Sequence, residues 1–397
     1  MMPPQVARNY EPLPVVLERG EGVWVWDEEG KRYLDMLGAY SAASFGHCHP
    51  RLVAALSGQA AGLDTISRAF RCRVLEDFLK RACALTGFDR ALPMNSGAEA
   101  VETALKAARK WGYEVKGVAP DKAEIICCEG NFHGRTIAAT AMSSVPQYRL
   151  GFGPFPKGFR HVPFGDTAAL EAAITPDTAA FLVEPIQGEG GIVLPPEGYL
   201  ARAAQICRAA DVLFIADEIQ TGLGRTGYLL ASWHEEARPD AVTLGKALGG
   251  GLLPVSLFLA RGEVMDVFRP GDHGSTFGGN PVAAAVGLEA LDLLVEADLC
   301  ARSAALGPVL LEGLRGIGSP LVREVRGRGL FVGLELDSSR ATALGLVNRL
   351  IGVGILTNKT HRNTVRFAPP LVIERQEIEW AVSQIDGALR DLEERPA

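Results

Sequence analysis

Ala241-Val242-Thr243-Leu244-Gly245-Lys246-Ala247-Leu248-Gly249-Gly250-Gly251 is the stretch from which the rest of the chain is read. A short apolar run ends in a lysine, and a glycine cluster follows. A run of that length suits a buried strand, which puts Lys246 at the strand's C-terminal edge. Open α/β sheets place their ligands at that edge. An amine against an apolar wall loses solvation; its pKa falls and it becomes available as a nucleophile. Taken alone, Lys246 also reads as a surface lysine at a strand end, the commoner fate of the residue.

The neighbouring sequence alternates. Segments 124–128, 180–184, 212–216 and 255–259 read as further buried strands, with helical stretches such as 199–210 between several of them. This is the pattern of an α/β fold, a mainly parallel sheet with helices on its faces. Such strands present their C-terminal ends to one crevice. The polar residues that follow them are therefore site candidates: Asn131-Phe132-His133-Gly134-Arg135, residues 184–189, Asp217 to Gln220, and Lys246. Upstream, Asn95, Ser96 and Gly97 precede Ala98, Val101, Leu105 and Ala108 at helical spacing, so they open a helix. Free N–H groups and the helix dipole favour an anion there, typically phosphate; an ordinary N-cap is the alternative.

The outer parts are simpler. Residues 22–35 read as a hairpin around Asp27-Glu28-Glu29-Gly30, flanked by Tyr10 and Tyr40. Residues 50–83 are helical with a break near Gly62, and 281–301 is a helix-rich apolar stretch. Beyond it, 329–335 and 364–367 read as strands and 347–351 and 376–392 as helices. The chain has 397 residues, above the ~250–300 at which single cores stop growing. The expected division is an N-terminal segment 1–45 packed with the small domain, a large domain 46–299, and a small α/β C-terminal domain 300–397.

A composition of 47% hydrophobic and 22% charged residues is ordinary for a globular protein. A net charge of −7 argues against a global footprint for nucleic acid or anionic membrane. Seven cysteines, an odd number with no CxxC, suggest reduced thiols and a cytoplasmic protein. Gly46-His47-Cys48-His49 has no second cluster to complete a metal site, so no metal is expected. Met1-Met2-Pro3-Pro4 shows no basic flank before an apolar stretch, so no signal peptide is expected. No apolar run approaches the ~18 residues of a membrane span.

Three motifs mislead. Gly222-Leu223-Gly224-Arg225-Thr226-Gly227 matches G-x-G-x-x-G, but residues 217–221 separate it from the strand and no amphipathic helix clearly follows. Gly245-Lys246 fails the P-loop pattern at Asp240 and Ala247. His234-Glu235-Glu236 lacks the second histidine of a zincin.

The polar strand ends share one need. If Lys246 forms a Schiff base with pyridoxal phosphate, an acid should face the ring nitrogen to keep it protonated, and Asp217 fits. The phosphate needs a helix N-terminus, which residues 95–98 supply. The ring needs a flat partner, and Phe132 is a candidate. A substrate carboxylate needs a bidentate cation, for which Arg135 and Arg366 are candidates.

At these residues the sequence resembles the class III (ornithine-type) aminotransferases, fold-type I pyridoxal-phosphate enzymes. The matching segments are Asn95-Ser96-Gly97, Asn131-Phe132-His133-Gly134-Arg135-Thr136, Glu184-Pro185-Ile186-Gln187-Gly188-Glu189, Asp217-Glu218-Ile219-Gln220-Thr221-Gly222, Gly245-Lys246-Ala247 and residues 273–281. The resemblance covers nearly the whole chain. It implies a large domain built on a seven-stranded, mainly parallel sheet that binds pyridoxal 5′-phosphate, and a smaller C-terminal domain. By the same resemblance Lys246 carries the cofactor and shuttles the substrate proton. Asp217 pairs with the pyridine nitrogen and Gln220 with the ring hydroxyl. Ser96, Gly97 and Ala98 hold the phosphate. Ser275 and Thr276 reach the neighbouring subunit's site, so a homodimer is implied.

Tyr10 and Tyr40 match the ornithine branch of the family, where a tyrosine pair shapes the entrance. Arg135 is then the residue for the distal carboxylate. Glu189 pairs with Arg366 while ornithine is bound and releases it for 2-oxoglutarate. His133 departs from that branch toward the acetylornithine enzymes. The implied activity transfers the δ-amino group of L-ornithine to 2-oxoglutarate, with acetylornithine or another ω-amino acid as the alternative substrate.

Overall fold

The computed structural model describes residues 5–395; residues 1–4, read above for a leader, lie outside them. Its centre is a seven-stranded sheet in the order Arg90–Met94, Ser256–Ala260, Ala241–Leu244, Leu213–Asp217, Thr178–Val183, Glu124–Cys128, Phe159–Val162. Consecutive side chains of a strand point to opposite faces. Ile125, Leu182 and Ile215 therefore pack with Val101, Ala104 and Leu105 of the helix Gly97–Trp111. Ile126, Phe181 and Phe214 pack on the other side with Leu200 and Ala203 of the helix Tyr199–Ala209. Both faces are covered, which is why these strands read as continuous apolar runs.

One strand departs from the expected direction. Ser256–Ala260 runs antiparallel to both its neighbours, Ala241–Leu244 and Arg90–Met94. Its C-terminal end therefore lies at the edge away from Lys246. An apolar run buried on both faces carries no sign of its direction. Arg90–Met94 is the sheet's edge, where Pro93 is tolerated.

Two four-stranded sheets flank this core. In one, Leu17–Glu21, Trp24–Asp27 and Arg32–Asp35 form the N-terminal antiparallel set, and Ile355–Leu356 joins Arg32–Asp35 in parallel. The other has the order Val322–Gly327, Val332–Leu336, Thr364–Phe367, Asn358–Thr360. The strand expected at 329–335 begins only at Val332, because Gly329 turns the chain at φ +57°. Among the described residues no helix is long and apolar enough to cross a membrane.

The Gly222–Gly227 glycines make a tight loop: Gly224 and Gly227 have φ of +87° and +101°, and Leu223 N–H donates to the Leu229 carbonyl at 2.7 Å. Arg225 within it is 1% exposed and donates to the Leu330 carbonyl at 2.9 Å, the Pro369 carbonyl at 2.6 Å and Ser44 Oγ at 3.0 Å. Burial pushes its pKa down to about 9, against the charge of Asp35. The loop is thus a clamp on three distant segments. Arg225→Leu is expected to cost about 3–5 kcal/mol, since it strands buried acceptors as well as removing the charged donor. A thermal melt reads this directly, and an unchanged midpoint would contradict it.

Candidate active site

The strand Ala241–Leu244 ends two residues before Lys246, whose φ of +45° puts it in the left-handed region. A non-glycine residue held there is the mark of a position fixed by its surroundings. Lys246 lines a cavity of about 210 Å³ together with Gly97, Ala98, Phe132, His133, Asp217 and Gln220. Burial lowers its pKa to about 8; the charge of Glu189 opposes this and that of Arg366 assists it. A larger share of Lys246 is therefore the free amine at neutral pH than of an exposed lysine.

Asp217 ends the next strand and is 4% exposed. Its Oδ2 lies 2.7 Å from His133 Nδ1. Its Oδ1 accepts from Thr243 Oγ1 at 2.9 Å and from the Ile219 N–H at 3.2 Å. Burial lowers the pKa of His133, but the hydrogen bond to Asp217 and its charge outweigh this, and the net shift is upward. His133, set apart in the sequence as a departure toward the acetylornithine enzymes, lines the cavity with its ring bonded to Asp217. No spacing pairs two residues 84 apart.

Ser96 caps the helix Gly97–Trp111 in a capping box: its Oγ accepts from the Glu99 N–H, and the Glu99 carboxylate accepts from the Ser96 N–H. The N–H groups of Gly97 and Ala98 belong to the first turn, which lacks intrahelical acceptors. Gly134 allows the 131–135 loop to approach this turn; it has φ +123°, and a Cβ there would fall 2.9 Å from Ala98 Cβ. Ser275 Oγ accepts from Asn95 Nδ2 at 2.8 Å beside the same turn, while Thr276 is exposed.

Glu184 was quoted in the sequence without a role. It lines the cavity and accepts from the Phe132 N–H at 2.9 Å, which fixes the loop carrying that ring. Burial pushes its carboxyl up to about 7, with His133 opposing and Asp217 assisting.

Arg366 and Glu189 lie outside that lining but near enough for their charges to act on Lys246; Arg366 is 0% exposed and pairs with Glu189 Oε1 at 2.5 Å. Its Nε and second Nη are buried without a hydrogen-bond partner among the described residues. Burial alone would raise the Glu189 carboxyl, but the charge of Arg366 and its hydrogen bond hold it below the usual range. The guanidinium also lies 4.8 Å from the Tyr40 ring centroid. Tyr40 itself has φ +61°, and its carbonyl accepts from Gln220 Nε2 at 3.4 Å. Arg135 is exposed, with its guanidinium 3.9 Å from the Tyr148 centroid and 5.3 Å from that of Phe132. Tyr10 is 72% exposed and stands outside the cavity lining.

A lysine at a strand end, an anchored aspartate in the same cavity, and a helix N-terminus beside them define a fold-type I pyridoxal-phosphate transferase. The profile described as Aminotransferase class-III matches residues 5–389, and the chain belongs to that family. Pyridoxal 5′-phosphate is the family's cofactor. The chain is 54% identical over 379 residues to the ornithine aminotransferase of Geobacillus sp. (strain WCH70), covering 96% of this chain and 94% of that one. The crystal structure of the ornithine aminotransferase from Toxoplasma gondii ME49 matches with a TM-score of 0.97 and 47% identity, covering 98% of this chain and 93% of that one. The acetylornithine aminotransferase from Elizabethkingia anophelis matches with a TM-score of 0.88 and 45% identity, over 98% and 96% of the two chains.

Proposed function

We propose that the chain is an ornithine δ-aminotransferase. It moves the δ-amino group of L-ornithine to 2-oxoglutarate, giving glutamate 5-semialdehyde and glutamate in two half-reactions. Bound pyridoxal phosphate supplies an aldehyde for an amine and a ring that draws electrons from the reacting carbon. In this reading Ser96, Gly97 and Ala98 hold its phosphate, Phe132 covers a ring face, Asp217 faces the ring nitrogen and Gln220 the ring hydroxyl. The lowered pKa of Lys246 lets it take the proton from the substrate carbon and return it. Ser275 and exposed Thr276 serve the second subunit of a homodimer, and the protein works in the cytoplasm with its cysteines reduced.

The observation that carries the ornithine reading is Arg366. It is buried, neutralised by one carboxylate, and keeps two further N–H donors. With Glu189 in place the site presents no net cation to ornithine's α-ammonium group. With Glu189 withdrawn, the same arginine receives the α-carboxylate of 2-oxoglutarate or glutamate. Arg135 takes the distal carboxylate in both cases, and Tyr40 beside Arg366 narrows the space for an acyl group. His133, buried and bonded through Nδ1 to Asp217, does not decide between free and acylated ornithine.

Glu189→Ala is expected to keep the glutamate half-reaction within a few fold and to slow the ornithine half-reaction by about 10–100-fold, since it leaves Arg366 unpaired against a cationic substrate. Single-turnover kinetics read the two separately. Equal losses in both would sink the gate, and a wild-type preference for N-acetylornithine over ornithine would sink the substrate assignment.

A further inference from the structure

Tyr148 and His361 join two parts of the site that the reading above treats separately. Tyr148 Oη lies 2.9 Å from His361 Nε2. Tyr148 belongs to the short turn Pro146–Arg149, its ring meets the edge of Phe132 at 6.1 Å between centroids, and it carries Arg135 on its face. His361 follows Asn358–Thr360, which pairs antiparallel with Thr364–Phe367. Arg362 and Asn363 complete the turn with φ of 57° and 53°. The same hairpin carries Arg366. Its tip is bound back to the gate: Thr360 Oγ1 donates to the Glu189 carbonyl at 2.6 Å, and the His361 N–H reaches it at 3.4 Å.

We infer that the Tyr148–His361 pair sets the spacing between Arg135 and Arg366, and so the chain length of the 2-oxo diacid that the enzyme prefers. The inference rests on reading those arginines as the two carboxylate receivers. What holds the Arg135 guanidinium is aromatic: the faces of Tyr148 and Phe132. An unheld arginine spreads over many rotamers and would accept a carboxylate over a range of distances. Stacked on Tyr148, its position follows that ring. The ring is tied in turn, through His361 213 residues away in sequence, to the hairpin that carries Arg366. Burial keeps the Tyr148 phenol protonated, its pKa pushed up with the help of Glu189 and against Arg135. The hydroxyl donates to His361 in one histidine tautomer and accepts from it in the other, so the tie holds in both.

The test uses holoenzyme and 2-oxo diacids of four, five and six carbons. Tyr148→Phe and His361→Ala are each expected to raise KM for the preferred acid about five-fold, the worth of one hydrogen bond, with kcat nearly unchanged. The kcat/KM ratio between that acid and its neighbours should narrow by a similar factor. The double variant should be no worse than either single one, and His361→Gln should restore part of the discrimination. Uniform losses on all three acids, with the ratios kept, would reduce the pair to packing and overturn the inference. Arg135→Lys separates the two levels. If it leaves KM for the diacids unchanged, the carboxylate reading itself fails. If it raises KM while Tyr148→Phe keeps the ratios, only the inference about the pair fails.

Discussion

Lys246→Ala is expected to fold normally and to lose transamination by at least about 10⁴-fold, because one side chain supplies both the covalent anchor and the proton carrier. Lys246 is the lysine that lines the cavity, and burial holds its amine near a pKa of about 8. A remote lysine cannot replace it, since proton transfer requires contact with the reacting carbon. The purified wild-type protein with cofactor should absorb in the visible and be bleached by ornithine; the variant should not be bleached. Wild-type protein that stays colourless after cofactor addition, or a variant that keeps turning over, would refute the assignment. A second signature concerns stability without cofactor. The folded amine loses its proton near pH 8, whereas the unfolded one keeps it to its ordinary value of 10.5. Between these the unfolded state binds more protons, so Lys246 makes wild-type stability rise with pH across that window. Lys246→Ala should remove that rise.

Much of this site was legible because its parts occupy positions with local rules. The apolar run before Lys246, the run before Asp217 and the cap at Ser96 each announce their own geometry within a few residues. The sheet was legible for the same reason, except where direction mattered: Ser256–Ala260 looks the same whichever way it runs. The short strand Phe159–Val162 has only one buried residue and gives no period to read. Ile355–Leu356 is two residues long and exists because Arg32–Asp35 offers it an edge. The side-chain pairs around the site are of a third kind. His133 with Asp217, Arg366 with Glu189 and Tyr148 with His361 span 84, 177 and 213 residues. Such pairs are products of the closed fold, and family resemblance supplied only the second of them.

Asp217→Asn is the change expected to hurt most after loss of the lysine: about 10³-fold in kcat, comparable with removing a preorganised electrostatic partner from a buried site, with the cofactor still bound. The reason lies in what surrounds the carboxylate. Three contacts, from His133, Thr243 and Ile219, converge on it in a buried place where an unpartnered polar group would be costly. An amide of the same shape carries no charge to keep a ring nitrogen protonated. Its oxygen can still accept from Thr243 and Ile219, but its N–H groups keep the His133 contact only if that ring moves its proton from Nδ1 to Nε2. His133 is the supporting member. His133→Phe removes one donor and leaves the bonds from Thr243 and Ile219, so about a ten-fold loss is expected rather than 10³. The order of the two effects is the informative quantity. An Asp217→Asn enzyme within ten-fold of wild type would mean that no charge is needed there. Equal losses in Asp217→Asn and His133→Phe would instead make the histidine, and not the carboxylate, the group on which the chemistry depends.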